Sequence, residues 1–273
     1  MLTGLSAVSS PDRPRFAYNL TSVEGFRAIV EWGEAHRMPM IMQCSERYLR
    51  DLGDTYFENV VVPRLARSEV AFVLHLDHAT SLQAVQAGIQ LGFSSVMFDG
   101  SGLPLKLNIQ ASADALGLCR QARIASFEAE IGHVGGAEDG DDEETRYLTR
   151  VEEAQQFMAE VPVDFLAVSV GNAHGQYRMP PKLHWDLLEA LHHVISVPLV
   201  LHGGTGISPA DFRRATKLGV QKINLGTELK VAWMRGLALA MESGEREPDR
   251  IRSAAKRSIA ETLDRTERIL IDV

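Results

Sequence analysis

Short apolar runs alternate with longer segments of helical period along most of the chain. The runs are short, and several are apolar at nearly every position, which is typical of parallel strands covered on both faces. They predict eight strands: Arg15–Leu20, Pro39–Cys44, Val70–Leu76, Ser94–Phe98, Ile124–Ile131, Asp164–Val170, Val197–Leu201 and Val220–Leu225.

The segments between the runs carry signals for helices. Residues 82–92 place their apolar side chains on one helical face. Thr149 and Glu152 have the spacing of a capping box, which predicts that a helix begins there. Ser208 followed by Pro209 predicts an N-cap and the first position of another helix.

Eight strands that alternate with helices predict an α/β protein with a (β/α)8 TIM barrel, formed as a single domain over residues 1–273. An open, doubly wound sheet is the alternative. It is disfavoured because no Gly-x-Gly-x-x-Gly sequence follows the first strand.

The amino-acid composition argues against two classes of binding partner, nucleic acid and membrane. The chain has 28 Lys and Arg against 36 Asp and Glu, and this acidic balance argues against nucleic acid as a partner. No apolar segment reaches the ~18–20 residues that a membrane span requires. The two cysteines predict no disulfide framework, and residues 1–15 lack the pattern of a signal peptide. We therefore expect a cytoplasmic protein that does not bind a membrane.

Polar residues stand at the ends of the predicted strands, where barrels of this kind form their active sites. These residues are Asn19, Ser45, Asp77, His78, Asp99, Glu128, Glu130, His174, His202 and Asn224. Any one of them could merely mark the end of a strand. Three histidines together are poorly explained in that way.

His78, His174 and His202 are therefore predicted to bind a metal ion that keeps an open position. Neutral imidazoles suit zinc, although their spacing does not exclude iron, cobalt or manganese. His75 alternates away from His78 and is expected to be packed beneath the site. Asp77 has two interpretations: a general acid/base near the metal, or a carboxylate that orients a histidine.

Two glycine-rich loops indicate a binding site for a phosphate group. Gly203, Gly204, Thr205 and Gly206 follow the seventh predicted strand, and Gly226–Thr227 follows the eighth, where barrels commonly bind a phosphate. The glycine-rich, acidic segment 132–149 is long for a compact barrel, which favours a cover over the substrate rather than a solvated surface loop.

The chain resembles the class II, zinc-dependent ketose-bisphosphate aldolases, of the fructose- and tagatose-bisphosphate type. Seven sequences carry the resemblance, in order from about residue 16 to residue 230. They are His75-Leu76-Asp77-His78, Val96-Met97-Phe98-Asp99-Gly100-Ser101, Glu128-Ala129-Glu130-Ile131-Gly132, Gly135-Gly136-Ala137-Glu138-Asp139, Ala173-His174-Gly175, Leu201-His202-Gly203-Gly204-Thr205-Gly206 and Lys222-Ile223-Asn224-Leu225-Gly226-Thr227-Glu228.

The resemblance implies reversible cleavage of a phosphorylated ketose to dihydroxyacetone phosphate and an aldehyde, through an enediolate stabilised by zinc. It implies that Asp77 exchanges a proton with the aldehyde-derived hydroxyl, that Glu138 acts on the ketone-side carbon, and that Asn224 donates a hydrogen bond to the enediolate. Glu130 matches a residue of an alternative metal position, with Asp99 nearby.

The resemblance also implies a phosphate site, with a monovalent cation such as Na⁺ beside it. The residues assigned to substrate binding are Asn19, Ser45, Gly175, Arg178, Gly203, Gly204, Thr205, Gly226 and Thr227. A homodimer or homotetramer is implied by the resemblance as well.

The sequence departs from the family pattern at Gly102, where His is common, and at Lys106, where an acidic residue is frequent. These departures leave open the second phosphate and the aldehyde partner. The alternatives are therefore the same chemistry on a monophosphate or unusual aldehyde, a metal-dependent isomerase that shares the enediolate, and a non-catalytic barrel that stabilises a partner subunit.

Overall fold

The computed structural model describes residues 2–134, 148–173, 175 and 181–271. Eight parallel strands form a closed barrel in sequence order, with β8 paired to β1. The strands are β1 Arg15–Asn19, β2 Met40–Ser45, β3 Phe72–Ala79, β4 Ser95–Phe98, β5 Ser126–Ile131, β6 Phe165–Val168, β7 Leu199–Leu201 and β8 Val220–Leu225. The predicted barrel and all eight strands are confirmed, with bounds that shift by a few residues.

Helices follow the strands and cover the outside of the barrel. They are α1 Val23–His36, α2 Glu46–Leu52, α3 Asp54–Tyr56, α4 Val62–Ala66, α5 Leu82–Gln90, α6 Leu105–Gln121, α7 Val151–Glu160, α8 Trp185–Val194, α9 Pro209–Lys217, α10 Thr227–Glu242 and α11 Pro248–Ile271. A π-helical turn, Phe57–Val61, joins α3 to α4. Of the helices that the structure describes, none is both long enough and apolar enough to cross a membrane.

The predicted starts of two helices have different outcomes. Ser208 caps α9, because its side chain accepts a hydrogen bond from the Asp211 amide and Pro209 takes the first helical position. The capping box at Thr149 is wrong, since α7 has Arg150 as its N-cap residue. The Thr149 hydroxyl instead donates to the Ile131 carbonyl at 2.6 Å and accepts from the Ser169 amide at 2.8 Å. It therefore joins the ends of β5 and β6.

The segment before β1 closes the bottom of the barrel. Leu5 and Val8 are buried in one apolar cluster with Ile41, Val73 and other inward-facing strand residues. The Leu5 amide also donates to the Ser126 hydroxyl on β5 at 3.0 Å. The bottom of the barrel is thus apolar and filled, whereas its upper layers are polar.

The last helix holds the outside of the first strand. Tyr18 on β1 donates to the carboxylate of Glu267 on α11 at 2.8 Å, and Trp32 on α1 donates to Asp264 at 2.7 Å. Gly236 on α10 allows a close crossing, because a Cβ there would lie 2.6 Å from the Ala255 Cα. These contacts pack α10 and α11 against the α1 side of the barrel.

Candidate active site

The carboxyl ends of the strands open into one cavity of about 880 Å³. Most of the residues predicted from the sequence line it: Asn19, Ser45, Asp77, His78, Asp99, Gly175, Gly203, Thr205, Asn224, Gly226 and Thr227. Glu130 and His202 lie just beneath, almost fully buried. The structure therefore brings these predicted residues together from the eight strands and the loops that follow them.

An irregularity in β3 places two neighbouring residues at the cavity. Adjacent residues of a regular strand point to opposite faces, but the pairing of β3 with β4 shifts between Leu76 and Ala79. His78 adopts a left-handed conformation with φ of 52°. That conformation is costly for a residue with a side chain and is often found at functional sites. As a result, both Asp77 and His78 line the cavity.

Two imidazoles and two carboxylates converge above the barrel interior. The rings of His78 and His202 lie 4.6 Å apart, centroid to centroid. Nδ1 of His78 lies 2.8 Å from Oδ2 of Asp99, and Nδ1 of His202 lies 3.1 Å from Oε2 of Glu130. The ligand atoms of His78, Asp99 and Glu130 lie within 4.8 Å of one another, as do those of Asp77, His78 and His202.

The charges around the histidines favour a cation in this position. Burial lowers the pKa of His78, but Asp77, Asp99 and Glu130 together hold that pKa well above its usual value. Burial likewise opposes the raised pKa of His202, which is produced by its hydrogen bonds with Glu128 and Glu130. A set of imidazole and carboxylate ligands that attracts positive charge fits a zinc ion.

A buried ion pair fixes the orientation of His202. Lys222 and Glu128 are both fully buried, and Nζ lies 3.2 and 3.0 Å from the two carboxylate oxygens. The same carboxylate lies 3.0 Å from Nε2 of His202. That contact leaves Nδ1 of His202 facing Glu130 and the metal position. Burial alone would raise the pKa of Glu128, but Lys222 and His202 hold it well below its usual range.

His75 is packed beneath the site, as its alternation with His78 predicted. Its Nδ1 lies 2.7 Å from the Ser95 hydroxyl, and the side chain is fully buried. Burial and the nearby Lys222 lower its pKa to about 3, so the ring is neutral. His75 therefore serves the packing of the polar interior.

Asp77 is held by amide groups rather than by a histidine. Oδ2 accepts from Gln43 at 3.1 Å and Oδ1 accepts from Asn224 at 3.2 Å. The nearest nitrogen of His78 lies 3.9 Å away, whereas Asp99 lies 2.8 Å from the other ring nitrogen. His78 is thus oriented by Asp99, which favours the acid/base interpretation of Asp77 over the orienting one.

The residues of the glycine-rich loop after β7 differ in whether they face the cavity or pack against β8. Gly203 lines the cavity with φ of 59°, a conformation that favours glycine. Gly204 does not line the cavity, because its amide donates to the Asn224 carbonyl at 3.0 Å and a Cβ would meet Ile223 at 2.8 Å. These contacts pack Gly204 closely against β8, and its predicted substrate contact stays a prediction. The Thr205 hydroxyl donates to Glu228 at 2.6 Å.

Three predicted residues lie outside the part of the chain that the structure describes. They are His174, the third predicted metal ligand; Glu138, the predicted acid/base of the covering loop; and Arg178, a predicted phosphate contact. Most of the predicted cover itself, residues 135–147, lies outside as well. Their assignments stay predictions.

Sequence reasoning assigned no role to several residues that the structure brings into the site. Gln43 and Lys222 are fully buried polar residues within strands, and a buried polar residue is itself a signal. Arg47, Tyr48 and Lys230 also line the cavity, at its edge. They lie on helices and resemble ordinary surface residues, so the sequence alone offered no reason to select them.

Known proteins resemble this chain over most of its length. The family model for class II fructose-bisphosphate aldolase matches residues 14–271. The 6-phospho-5-dehydro-2-deoxy-D-gluconate aldolase of Shouchella clausii is 39% identical over 221 residues, which is 79% of this chain and 74% of that protein. The sulfofructosephosphate aldolase of Alkalicoccus urumqiensis is 35% identical over 241 residues, covering 85% and 81%.

A solved structure shares the fold over its full length. The YdjI aldolase from Escherichia coli K12 superposes with a TM-score of 0.86 and 24% identity, covering 99% of this chain and 97% of that one. The family model and both sequence relatives match most of the chain. The chain therefore belongs to the class II fructose-bisphosphate aldolase family and is a lyase.

Proposed function

We propose that this aldolase reversibly cleaves a phosphorylated ketose to dihydroxyacetone phosphate and an aldehyde at a zinc site. The observation that carries the proposal is the placement of Asp77 and Asn224 beside the converging imidazoles of His78 and His202. A proton acceptor, an amide donor and a metal position then surround the same point of the cavity.

The metal would be held by His78, His202 and His174, with Glu130 and Asp99 available for an alternative position. When bound, the ion supplies Lewis-acid stabilisation of the negative charge that develops on the ketone-side oxygen atoms. Lys222 and Glu128 support this arrangement from below, since they fix which nitrogen of His202 faces the ion.

Asp77 would take the proton in the cleavage direction. As the carbon–carbon bond breaks, the hydroxyl on the aldehyde side loses its proton to the carboxylate and becomes the carbonyl of the aldehyde. The electron pair of the broken bond passes to the ketone-side fragment, which then takes a proton at carbon, the step proposed for Glu138. Burial alone would raise the pKa of Asp77, but His78, Lys222 and His202 hold it below its ordinary value, so the carboxylate is ionised and able to accept a proton.

Asn224 would donate a hydrogen bond to the enediolate oxygen through its amide nitrogen, which now contacts Asp77. The ketone-side phosphate would lie against Gly175, Gly203, Thr205, Gly226 and Thr227, with a monovalent cation nearby and Arg178 as a further contact. Backbone amides of glycine-rich turns suit a phosphate because they present N–H groups without a side chain in the way.

The identity of the ketose is best tested with a panel of substrates. Cleavage would be followed by the release of dihydroxyacetone phosphate from ketose monophosphates and bisphosphates, with and without a chelator. We expect cleavage of at least one phosphorylated ketose, loss of activity with the chelator and recovery with Zn²⁺. Full activity in the chelated, metal-free enzyme would overturn the zinc proposal, and no cleavage of any phosphorylated ketose would overturn the substrate proposal.

A further inference from the structure

A series of hydrogen-bonded groups runs through the barrel from its bottom toward the reaction centre. It begins at the backbone amide of Leu5, before β1, which donates to the Ser126 hydroxyl on β5 at 3.0 Å. Ser126 donates in turn to the Ser95 hydroxyl on β4 at 2.8 Å, and that hydroxyl lies 2.7 Å from Nδ1 of His75 on β3. All three side chains are fully buried. We call Ser126, Ser95 and His75 the interior network.

The interior network ends at the ion pair beneath the proposed metal position. Nε2 of His75 lies 3.6 Å from Oε2 of Glu128, which is too far for a hydrogen bond but close enough for an electrostatic contact in a buried site. The other oxygen of the same carboxylate lies 3.0 Å from Nε2 of His202. Glu128 therefore lies between His75 and a proposed metal ligand.

The first donor sets the direction of the hydrogen bonds in the interior network. A backbone N–H can only donate, so the Ser126 hydroxyl accepts from Leu5 and gives its own proton to Ser95. Within the described part of the chain, Nδ1 of His75 is the other partner of the Ser95 hydroxyl, which therefore donates to it. Because burial and Lys222 lower the pKa of His75 to about 3, the ring is neutral and carries its one proton on Nε2.

The charge on the other side of the ring favours the same tautomer. The opposite tautomer would direct the lone pair of Nε2 at the Glu128 carboxylate, and two regions of negative charge would then meet in a buried site. With the proton on Nε2, His75 directs an N–H group at the carboxylate instead. His75, Lys222 and His202 then present N–H groups to Glu128 from three directions and hold the carboxylate in one orientation.

We infer that His75 is a positioning residue of the reaction centre: the interior network holds its proton on Nε2, and this N–H keeps Glu128 turned toward Nε2 of His202. Nδ1 of His202 is then left for the metal, and in this last step the inference rests on the proposed function. Groups that hydrogen-bond to metal ligands orient those ligands and raise metal affinity. His75 does not line the cavity, so it acts through Glu128 rather than on the substrate.

The tautomer of His75 can be measured directly in the metal-free enzyme. Nitrogen-15 NMR distinguishes the protonated from the unprotonated nitrogen of a neutral imidazole, and the signals of His75 are those that His75→Gln lacks. We expect the proton on Nε2, and a proton on Nδ1 overturns the inference. Ser95→Ala removes the hydroxyl that donates to Nδ1 and should let both tautomers appear. Ser94→Ala is the matched control, because the Ser94 hydroxyl accepts from the Leu74 amide and lies outside the interior network.

Three substitutions of His75 separate the roles of its two nitrogens. His75→Gln keeps an N–H near the position of Nε2, His75→Asn keeps a polar atom only near Nδ1, and His75→Phe keeps a ring without either. We expect zinc affinity, measured by competition with a chelating dye, to fall about tenfold in His75→Asn and His75→Phe and to stay within about threefold in His75→Gln. The kcat should fall in the same order with little change in KM, because position 75 does not contact the substrate.

The comparison of His75→Asn with His75→Gln decides the inference even where His75→Phe fails to fold, since both variants carry the same amide at different reach. Zinc affinity equal to that of the wild type in both variants overturns the inference. An equal loss in both also overturns it, because that result would indicate packing alone. A wild-type enzyme that binds no zinc refutes the proposed function instead, while the tautomer of His75 in the metal-free enzyme still tests the interior network.

Discussion

The reaction centre and the cavity edge formed by Arg47, Tyr48 and Lys230 belong to the same cavity, but their charges have opposite surroundings. At the centre, Glu128, Lys222 and His202 are fully buried and bound to one another. At the edge, Arg47 is exposed, and its guanidinium lies over the Tyr48 ring. Charge in a buried network is fixed in position and costly to remove, whereas charge at an edge is screened and replaceable.

This difference separates residues whose charge is fixed by the fold from residues whose charge can be changed. Replacing Arg47 or Tyr48 should cost little stability, because both side chains are at least partly exposed. Replacing a member of the buried network should disturb the centre that all substrates share. We therefore expect substitutions at the centre to affect every substrate, and substitutions at the edge to affect some substrates more than others.

The largest effect is expected from His202→Ala. The variant removes an imidazole from the proposed metal position, and turnover of all substrates should fall by about a thousandfold or more because binding and activation of the ion would both be weakened. Zinc content by elemental analysis should fall in parallel. His193→Ala, on the exposed face of α8, is the matched control and should retain both. Full zinc content in the His202→Ala enzyme would remove His202 from the ligand set.

Asp77→Asn should come next, with kcat about 10²- to 10⁴-fold lower for every substrate, since a positioned acid/base contributes that much. The amide keeps the shape of the carboxyl but does not accept the proton of the aldehyde-side hydroxyl. Zinc content and proton exchange on dihydroxyacetone phosphate should both survive. Loss of the metal would instead show that Asp77 supports the histidines.

Lys222→Met tests the cost of an unpaired buried charge. Leaving Glu128 without its partner should lower the free energy of unfolding by about 3–5 kcal/mol, measured by chemical denaturation. The double variant Lys222→Met with Glu128→Gln should recover part of that loss, because the glutamine oxygen can still accept from His202 and position 128 no longer carries a charge. Equal stability of the single and double variants would contradict this account.

The smallest effect on activity is expected at the cavity edge, from Tyr48→Leu. A cation–π contact at an exposed site is worth about 0.5–1 kcal/mol, which is about a two- to fivefold change. We expect kcat/KM for an anionic aldehyde in aldol addition to fall by that factor while uncharged glyceraldehyde is unaffected. Tyr48→Phe keeps the ring and should match the wild type. A comparable loss in Tyr48→Phe would assign the effect to the hydroxyl.

Much of the architecture could be predicted from the sequence because the barrel repeats a local pattern. Apolar runs of parallel strands and the Ser208–Pro209 helix start depend on neighbouring residues alone, and both are confirmed. The capping box predicted from the spacing of Thr149 and Glu152 also depends on neighbouring residues alone, but it is wrong. The Thr149 hydroxyl is instead hydrogen-bonded to Ile131 and Ser169, which only the closed barrel brings close to it.

The sequence pointed to His78 and His202 because histidine has few other uses at a strand end, and the structure brings their rings to 4.6 Å from each other. Their role as metal ligands stays a prediction. The site was not predictable where the role depends on a distant partner. No local pattern shows that Lys222 faces Glu128, or that an irregular strand turns His78 toward the cavity beside Asp77. Nor does it show that Arg47 and Lys230, far apart in the chain, share one ring.

The burial of Leu5 and Val8 at the bottom of the barrel has a practical consequence for producing this enzyme. Those side chains fill the base of the barrel, and Leu5 is tied to β5 by its amide. Deleting the first dozen residues would admit water to the interior beneath the polar layers. An affinity tag at this terminus is therefore better added ahead of residue 1 through a flexible spacer than put in place of the first residues.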